Sequence, residues 1–432
     1  MKDKRRLSII SPLGDFVRRE SFGGILIVFS AAIGLLFANT GLQDVYKSFL
    51  DASFSIQIST FVLSMDLGHV INDGLMTIFF FLVGLEIKRE LAQGHLSSLR
   101  KAIPSAIAAL GGMAIPALLF LLISDSASKN GWGIAVATDI ALALTVLTLV
   151  GKRAKESLRP FLLGLAVIDD IGAILIIALF YTSNLSFYWT LFAIGSLILV
   201  VFLKKLGIEF RLAYVFAGLA LWLSLYKTGI HPTIAGVILG LLTPASPLIQ
   251  QKYVDREELT NLETIGHVKE SQRIVKGSIS TVEWLEHSIH PWSSYLIVPL
   301  FAFSNSGIRI SSSSIQGALN SSLFWAIFIG LVIGKPLGII ISALTVKKFD
   351  FGELPAGASL KEILATGMTA GIGFTVAIFI SKLAFQDTAQ QDQAIFAVLC
   401  ASAISGILAF TLFTLNLSVT KPGASSKEVN SN

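Results

Sequence analysis

Residues 160–182 read PFLLGLAVIDDIGAILIIALFYT, an apolar run broken only by the adjacent carboxylates Asp169 and Asp170. As a helix rising about 1.5 Å per residue, such a run crosses the roughly 30 Å hydrocarbon core of a bilayer and places the pair near its middle. Comparable runs recur through the 432-residue chain, which is 53% hydrophobic and 14% charged, against about 25% charged in a soluble domain. The sequence predicts an all-α, multi-pass membrane protein. About twelve spans are expected, near 22–39, 69–87, 102–124, 131–150, 160–182, 187–203, 212–226, 230–243, 291–308, 323–345, 362–384 and 392–415.

The basic residues set the orientation. With the N-terminus inside, 27 of the 33 Lys and Arg fall in cytoplasmic tails and loops, and only Lys47, Lys129, Lys227 and Arg309 fall outside. That asymmetry puts both termini in the cytoplasm and accounts for a net charge of +5 without a nucleic-acid partner. Residues 1–21 read as an uncleaved cytoplasmic tail with an amphipathic stretch at 9–17, 22–415 as one transmembrane domain, and 416–432 as a disordered tail. The longest loop, about 244–290, is charged and cytoplasmic. The single cysteine, Cys400, excludes an intramolecular disulfide and a cysteine metal centre, and no cofactor is expected. Within the outer connection at about 40–68, Phe54, Ile56 and Ile58 alternate with Ser53, Ser55, Gln57 and Ser59, the period of a strand. Such a strand either forms a small surface hairpin or offers its edge to a second copy.

Four ionisable residues lie deep in apolar spans: Asp139, Asp169, Asp170 and Lys335. At a helix centre each costs roughly 2.5–3.5 kcal/mol, so the four together cost on the order of 10–14 kcal/mol unless paired. One structural ion pair would use Lys335 and one aspartate and leave two carboxylates over, which favours a functional role. Adjacent helical residues point about 100° apart, so Asp169 and Asp170 cannot share a partner. One pairs with Lys335; the other faces a water-filled cavity. Burial disfavours the charged form of a carboxylate, so such a group holds either a proton or a hard cation. Competition of H⁺ and Na⁺ for one carboxylate is antiport in its simplest form.

Oxygen ligands stand nearby: Thr138 in GIAVATDIALAL (133–144) and Thr375 in GMTAGIGFTVAIF (367–379), where Gly367, Gly371 and Gly373 weaken the helix. Both interruptions sit in the middle of a triplet, spans 3–5 and spans 10–12. The odd offset of seven gives the triplets opposite orientation, an inverted repeat with broken helices in spans 4 and 11. Unwound half-helices present charged dipole ends, which Asp139 offsets at the positive ends and Lys335 at the negative ones.

A second group lies toward the cytoplasm. Glu86 and Glu90 in GLEIKREL (84–91) share a helix face, and Glu286, His287 and His290 occur in WLEHSIHPW (284–292). The group reads either as a solvated helix end or as a cation-attracting funnel and pH sensor, and not as a metal site. Asp73 and His231 read as structural. The nearest alternative to antiport is a Na⁺-coupled symporter of a small organic anion, which needs a cavity lined by neutral polar side chains. An intramembrane aspartyl protease needs YD and GxGD strings that the sequence lacks, so no enzyme is expected. A channel has little need of a titratable pair and a lysine at the midplane.

Over about residues 20–415 the chain resembles the NhaA family of bacterial Na⁺/H⁺ antiporters. The resemblance rests on INDGLMTIFFFLVGLEIKREL (71–91), ATDIALAL (137–144), LAVIDDIGAI (165–174), GIHPTIAGV (229–237), WLEHSIHPW, PLFAFSNSG (299–307), GKPLG (334–338) and GIGFTVAIFI (371–380). Inverted repeats with broken helices are a recurrent transporter plan of which this family is itself a type example, so that reading and the resemblance are not independent. The resemblance implies that Asp170 is the principal Na⁺ (or Li⁺) and proton site and that Asp169 partners Lys335, the second proton riding on one of those two. It implies that Asp139 and Thr138 compensate dipoles and assist the cation, and that Glu86, Glu286, His287 and His290 belong to a pH-activation region. It further implies electrogenic exchange across the bacterial inner membrane, and a homodimer joined through the Phe54–Ile58 hairpin. The chain departs from the family in a longer 244–283 loop, in Glu283 where a lysine is familiar, and in the acid-free RISSSSIQG (309–317). These departures bear on the pH profile and leave the transport site intact.

Overall fold

The computed structural model describes residues 12–58, 61–182, 185–206, 211–246, 279–352, 354–355 and 357–415. The expectations placed on residues 1–11, on the tail 416–432 and on most of the long loop (247–278) lie outside the described residues.

Helix α1 (Pro12–Ala38) is followed, after a 115° bend, by α2 (Gln43–Leu50). Strands β1 (Ser53–Ile58) and β2 (Phe61–Asp66) then pair antiparallel. Their register sets Phe54 against Met65, Ile56 against Leu63 and Ile58 against Phe61, so apolar residues sit opposite apolar ones. Next come α3 (Leu67–Ala92) and α4 (Leu99–Ile123). A 3-10 stretch, Lys129–Val136, leads through an extended link into α5 (Ile140–Val150). Helices α6 (Leu158–Phe180), α7 (Phe187–Lys205), α8 (Arg211–Thr228) and α9 (Thr233–Leu242) precede the long loop. Beyond it, α10 (Thr281–Trp292) continues through a π turn at Ser293–Ile297 into α11 (Val298–Asn305). The chain ends with α12 (Ser312–Leu319), α13 (Ser322–Phe349), the broken pair α14 (Leu360–Ala370) and α15 (Phe374–Ala384), and α16 (Thr388–Leu415).

Among the described residues seven helices are long and apolar enough to cross a membrane, with α1–α2 and α14–α15 as bent pairs besides. This is fewer than twelve: α8 and α9 have only 18 and 10 residues, and the predicted span 291–308 falls on the end of α10, the π turn and the eight-residue α11. The outer surface is apolar. Leu122, Leu179, Phe187 and Tyr188 are all exposed, and most of the apolar residues of α7 face outward. Such a surface suits lipid rather than water.

Inside, glycines let helices close up where no hydrophobic force separates helix from lipid. Helix α3 packs on α9, and a β-carbon at Gly240 would lie 2.7 Å from the Phe81 carbonyl oxygen. Helix α4 packs on α13, and a β-carbon at Gly338 would lie 2.6 Å from the Gly111 carbonyl carbon. The first triplet (α4, the 129–150 segment, α6) thereby meets the second (α13, α14–α15, α16). Lys155, between α5 and α6, donates to the Gly357 carbonyl and pairs with Glu362 at 3.1 Å. Ser359 and Glu362 in turn form a reciprocal cap at the start of α14.

Candidate ion-binding site

The site is built where the two broken segments touch. No glycine or proline lies in Ala137–Thr138–Asp139; the helix starts afresh there because Asp139 caps α5, accepting the Leu142 N–H at 3.0 Å. In the other segment Gly371–Ile372–Gly373 parts α14 from α15 with a 47° bend. Gly371 is required by contact, since a β-carbon there would lie 2.6 Å from the Leu331 carbonyl oxygen. The Asp139 N–H donates to the Ile372 carbonyl at 2.6 Å, tying one break to the other.

Four dipole ends converge at this crossing, and each has a partner. The Asp139 carboxylate takes the N-terminal end of α15 as well as that of α5, accepting the Thr375 N–H at 3.0 Å and its hydroxyl at 2.6 Å. Lys335 donates to the Val136 carbonyl at the end of the 3-10 stretch. The Thr138 hydroxyl lies 2.9 Å from the Ala370 carbonyl at the end of α14. Opposite charge thus meets three of the four ends, the favourable arrangement, and a neutral hydroxyl meets the fourth.

Asp169 and Asp170, neighbours on α6, have different surroundings. Asp169 is wholly buried; its Oδ2 accepts from Lys335 Nζ at 2.8 Å and lies 2.7 Å from the Thr138 hydroxyl. That hydroxyl in turn accepts from Lys335 at 2.5 Å. Lys335 is also wholly buried and begins an α-turn after a π turn at Gly330–Gly334. Pro336 has no N–H for the Val332 carbonyl, which accounts for the widened helix just before it. The Asp170 carboxylate receives no hydrogen bond or ion pair among the described residues. It lines a cavity of about 70 Å³ together with Asp139, Thr138, Thr375, Glu86 and His290.

In the group around Glu86 and Glu286, Glu286 forms an ion pair with Arg89, which also lies 3.6 Å from Glu90. Sequence reasoning missed Arg89; its spacing of three from Glu86 and its place beside Glu90 were the available signal. Burial pushes the Glu286 carboxyl up, outweighing the opposing pull of Arg89 and His290. His290 reaches the cavity, four residues on from Glu286, whereas His287 is exposed and is not brought to the group. Asp73 and His231 do meet, at 3.4 Å. His231 also bonds Thr233 at 2.8 Å, and the Asp73 carbonyl accepts from Trp222, so the set joins α3 to α8 and α9. On the hairpin, Phe54 is 58% exposed.

The chain matches a family model described as Na⁺/H⁺ antiporter 1 over residues 14–413. It is 42% identical over 406 residues to the Na⁺/H⁺ antiporter NhaA of Yersinia pseudotuberculosis (serotype O:3, strain YPIII), covering 93% of this chain and 96% of that one. It is 40% identical over 429 residues to Na⁺/H⁺ antiporter NhaA 2 of Myxococcus xanthus (strain DK1622), covering 96% of this chain and 91% of that one. The fold is similar to the sodium proton antiporter MjNhaP1 of Methanocaldococcus jannaschii, solved at pH 8, with a TM-score of 0.51 over 94% of this chain and 99% of that one at 13% identity. The family match over nearly the whole length, with two relatives at this identity, decides the matter: the chain belongs to the Na⁺/H⁺ antiporter 1 family.

Proposed function

We propose that this antiporter exchanges cytoplasmic Na⁺ or Li⁺ for protons at Asp170, the cation and the proton competing for one carboxylate. The observation that carries the reading is the contrast within the pair. Asp169 is held by Lys335 and Thr138, Asp139 is held by two helix ends, and Asp170 alone of the three faces the cavity unpaired among the described residues. Asp169 and Lys335 then form the linked partner that carries the second proton, which makes exchange electrogenic. Asp139, Thr138 and Thr375 hold the crossing, and their side-chain oxygens supply supporting ligands.

In this reading the two triplets are an inverted repeat whose broken helices rock between inward and outward access, with the shorter helices completing twelve crossings. Glu86, Glu90, Glu286 and His290, with Arg89 added, form the cytoplasmic funnel that tunes activity with pH. The chain sits in the bacterial inner membrane with both termini cytoplasmic, as a homodimer joined through β1 and β2. A symporter of an organic anion is disfavoured: about 70 Å³ holds a few waters or a cation, and a wall with Glu86, Asp139 and Asp170 repels an anion.

The test uses everted membrane vesicles carrying a pH gradient. Addition of Na⁺ or Li⁺ should dissipate the gradient in the wild type, K⁺ should not, and Asp170→Asn should abolish the response. Full activity in Asp170→Asn would sink the assignment of Asp170.

A further inference from the structure

Among the described residues, one hydroxyl in the cavity beside Asp170 has no interaction that accounts for it. Ser293 opens the π turn between α10 and α11, is only 2% exposed, and lines the cavity with Asp170, Asp139, Glu86 and His290. Helical hydroxyls elsewhere in the chain bond to the carbonyl one turn back: Ser196 to Phe192, Ser288 to Trp284, Ser381 to Ala377 and Thr148 to Leu144. Ser293 does not. Among the described residues its hydroxyl has no hydrogen-bond partner, yet it is not one of the fully occluded unpartnered atoms such as Ser402 Oγ and Ser405 Oγ. It is therefore open to the cavity. Single π turns inside α-helices are rare and recur at functional sites; this one puts a hydroxyl into the wall that the ion must pass.

We propose that Ser293 Oγ is a ligand for the transported cation, replacing one water of its hydration shell between the cytoplasmic mouth, at Glu86 and His290, and Asp170. The inference deepens the reading of Asp170 as the ion site and rests on it. A hard cation shedding water needs oxygen ligands, and a hydroxyl offers lone pairs without a charge that would trap the ion. The same property explains why a buried hydroxyl is kept here without a partner, a condition otherwise unfavourable to the fold. Ser294, the next residue, is turned differently, lying 3.5 Å from His290 Nδ1, so the two serines have separate surroundings.

Na⁺-driven and Li⁺-driven dissipation of the pH gradient is measured in vesicles for the wild type, Ser293→Ala, Ser293→Thr and Ser293→Cys. Loss of one ligand should raise the apparent KM for Na⁺ about five-fold in Ser293→Ala, with the maximal rate little changed, and should alter the Na⁺-to-Li⁺ ratio of KM. Ser293→Thr, which keeps the hydroxyl, should restore the wild-type KM. A purely structural role would lower the rate and the amount of inserted protein while leaving KM alone. Unchanged KM in Ser293→Ala, or the same rise in Ser293→Ala and Ser293→Thr, overturns the proposal. Should the alanine variant insert poorly, Ser293→Cys carries the same test: a raised KM supports the ligand and an unchanged one overturns it. Asp170→Asn, measured alongside, separates the two readings, because its full activity would remove the ion site whereas the Ser293 outcome is read from KM.

Discussion

The Asp139 carboxylate reaches from the first broken segment to the second and takes both the N–H and the hydroxyl of Thr375, at 3.0 and 2.6 Å. One side chain thus caps two half-helices, α5 and α15, that lie 236 residues apart at the contact. An N-cap is worth about 0.5–2 kcal/mol and a charge at a helix N-terminus about 0.3–1 kcal/mol, up to about 2 when buried. Asp139→Ala should therefore cost about 2–4 kcal/mol and lower the melting temperature of the purified protein by several degrees. Asp139→Asn, which keeps an acceptor oxygen, should cost less. Equal melting of Asp139→Ala and wild type would refute the double cap.

A comparable argument applies to Asp169 and Lys335, which pair at 2.8 Å with both side chains wholly buried. Removing one partner of a buried pair leaves an uncompensated charge and costs about 3–5 kcal/mol, whereas replacing both is often tolerated. Asp169→Asn should destabilise strongly, and the double variant Asp169→Asn with Lys335→Met should recover much of the loss. Melting curves of the two single variants and the double variant give the coupling. Additive losses would mean that the pair does not act as a unit.

The unequal legibility of these features in the sequence has physical causes. The midplane charges announce themselves because an apolar run makes each one conspicuous, and Gly371 and Gly373 mark their break openly. Thr138 and Asp139 are cap-type residues, yet their break contains no glycine or proline; it depends on Thr375, Ile372 and Ala370 from a distant segment. Helix periodicity separates Asp169 from Asp170 but does not say which one meets Lys335, since that depends on how α6 is rotated against α13. Periodicity does not separate the two histidines' neighbours, since Glu286 is four residues from His290 and His287 three; that His287 is exposed while Glu286 is buried depends on how α10 packs. Strand β1 is legible from its alternation, whereas FVLSMD in β2 has an unbroken apolar start that suits a helix equally well.

The pH dependence of stability should carry the mark of Glu286. Burial raises its carboxyl above the usual range against the pull of Arg89 and His290. A raised pKa means that the folded state binds the proton more tightly than the unfolded state does. Its contribution is fully present below the unfolded value of about 4.3 and is lost as pH rises through the folded one. Glu286→Gln is neutral throughout. The melting temperature of the wild type should accordingly fall relative to Glu286→Gln as pH rises from about 4 to 7. A gap that moves the other way would show that the Arg89 pair, rather than burial, governs the group.

The hairpin offers a prediction about assembly rather than transport. Strands β1 and β2 form a sheet of two strands, so among the described residues each has an edge without a neighbour. Phe54 stands 58% exposed on it. Isolated two-stranded hairpins are marginal in water, and exposed edges invite pairing with another chain. Helix α2 ends at Leu50 and α3 begins at Leu67 with Asp66 as its cap, so residues 53–65 can be replaced by a short Gly-Ser linker without entering either helix or removing that cap. The proposed ion site lies on other elements, at α6, α13 and the broken segments. The variant should run as a monomer in size-exclusion chromatography with light scattering, while Na⁺-driven proton exchange in vesicles persists at a comparable rate. A dimer that survives the replacement would place the interface elsewhere. Loss of exchange in a well-inserted monomer would instead show that dimer formation is needed for transport.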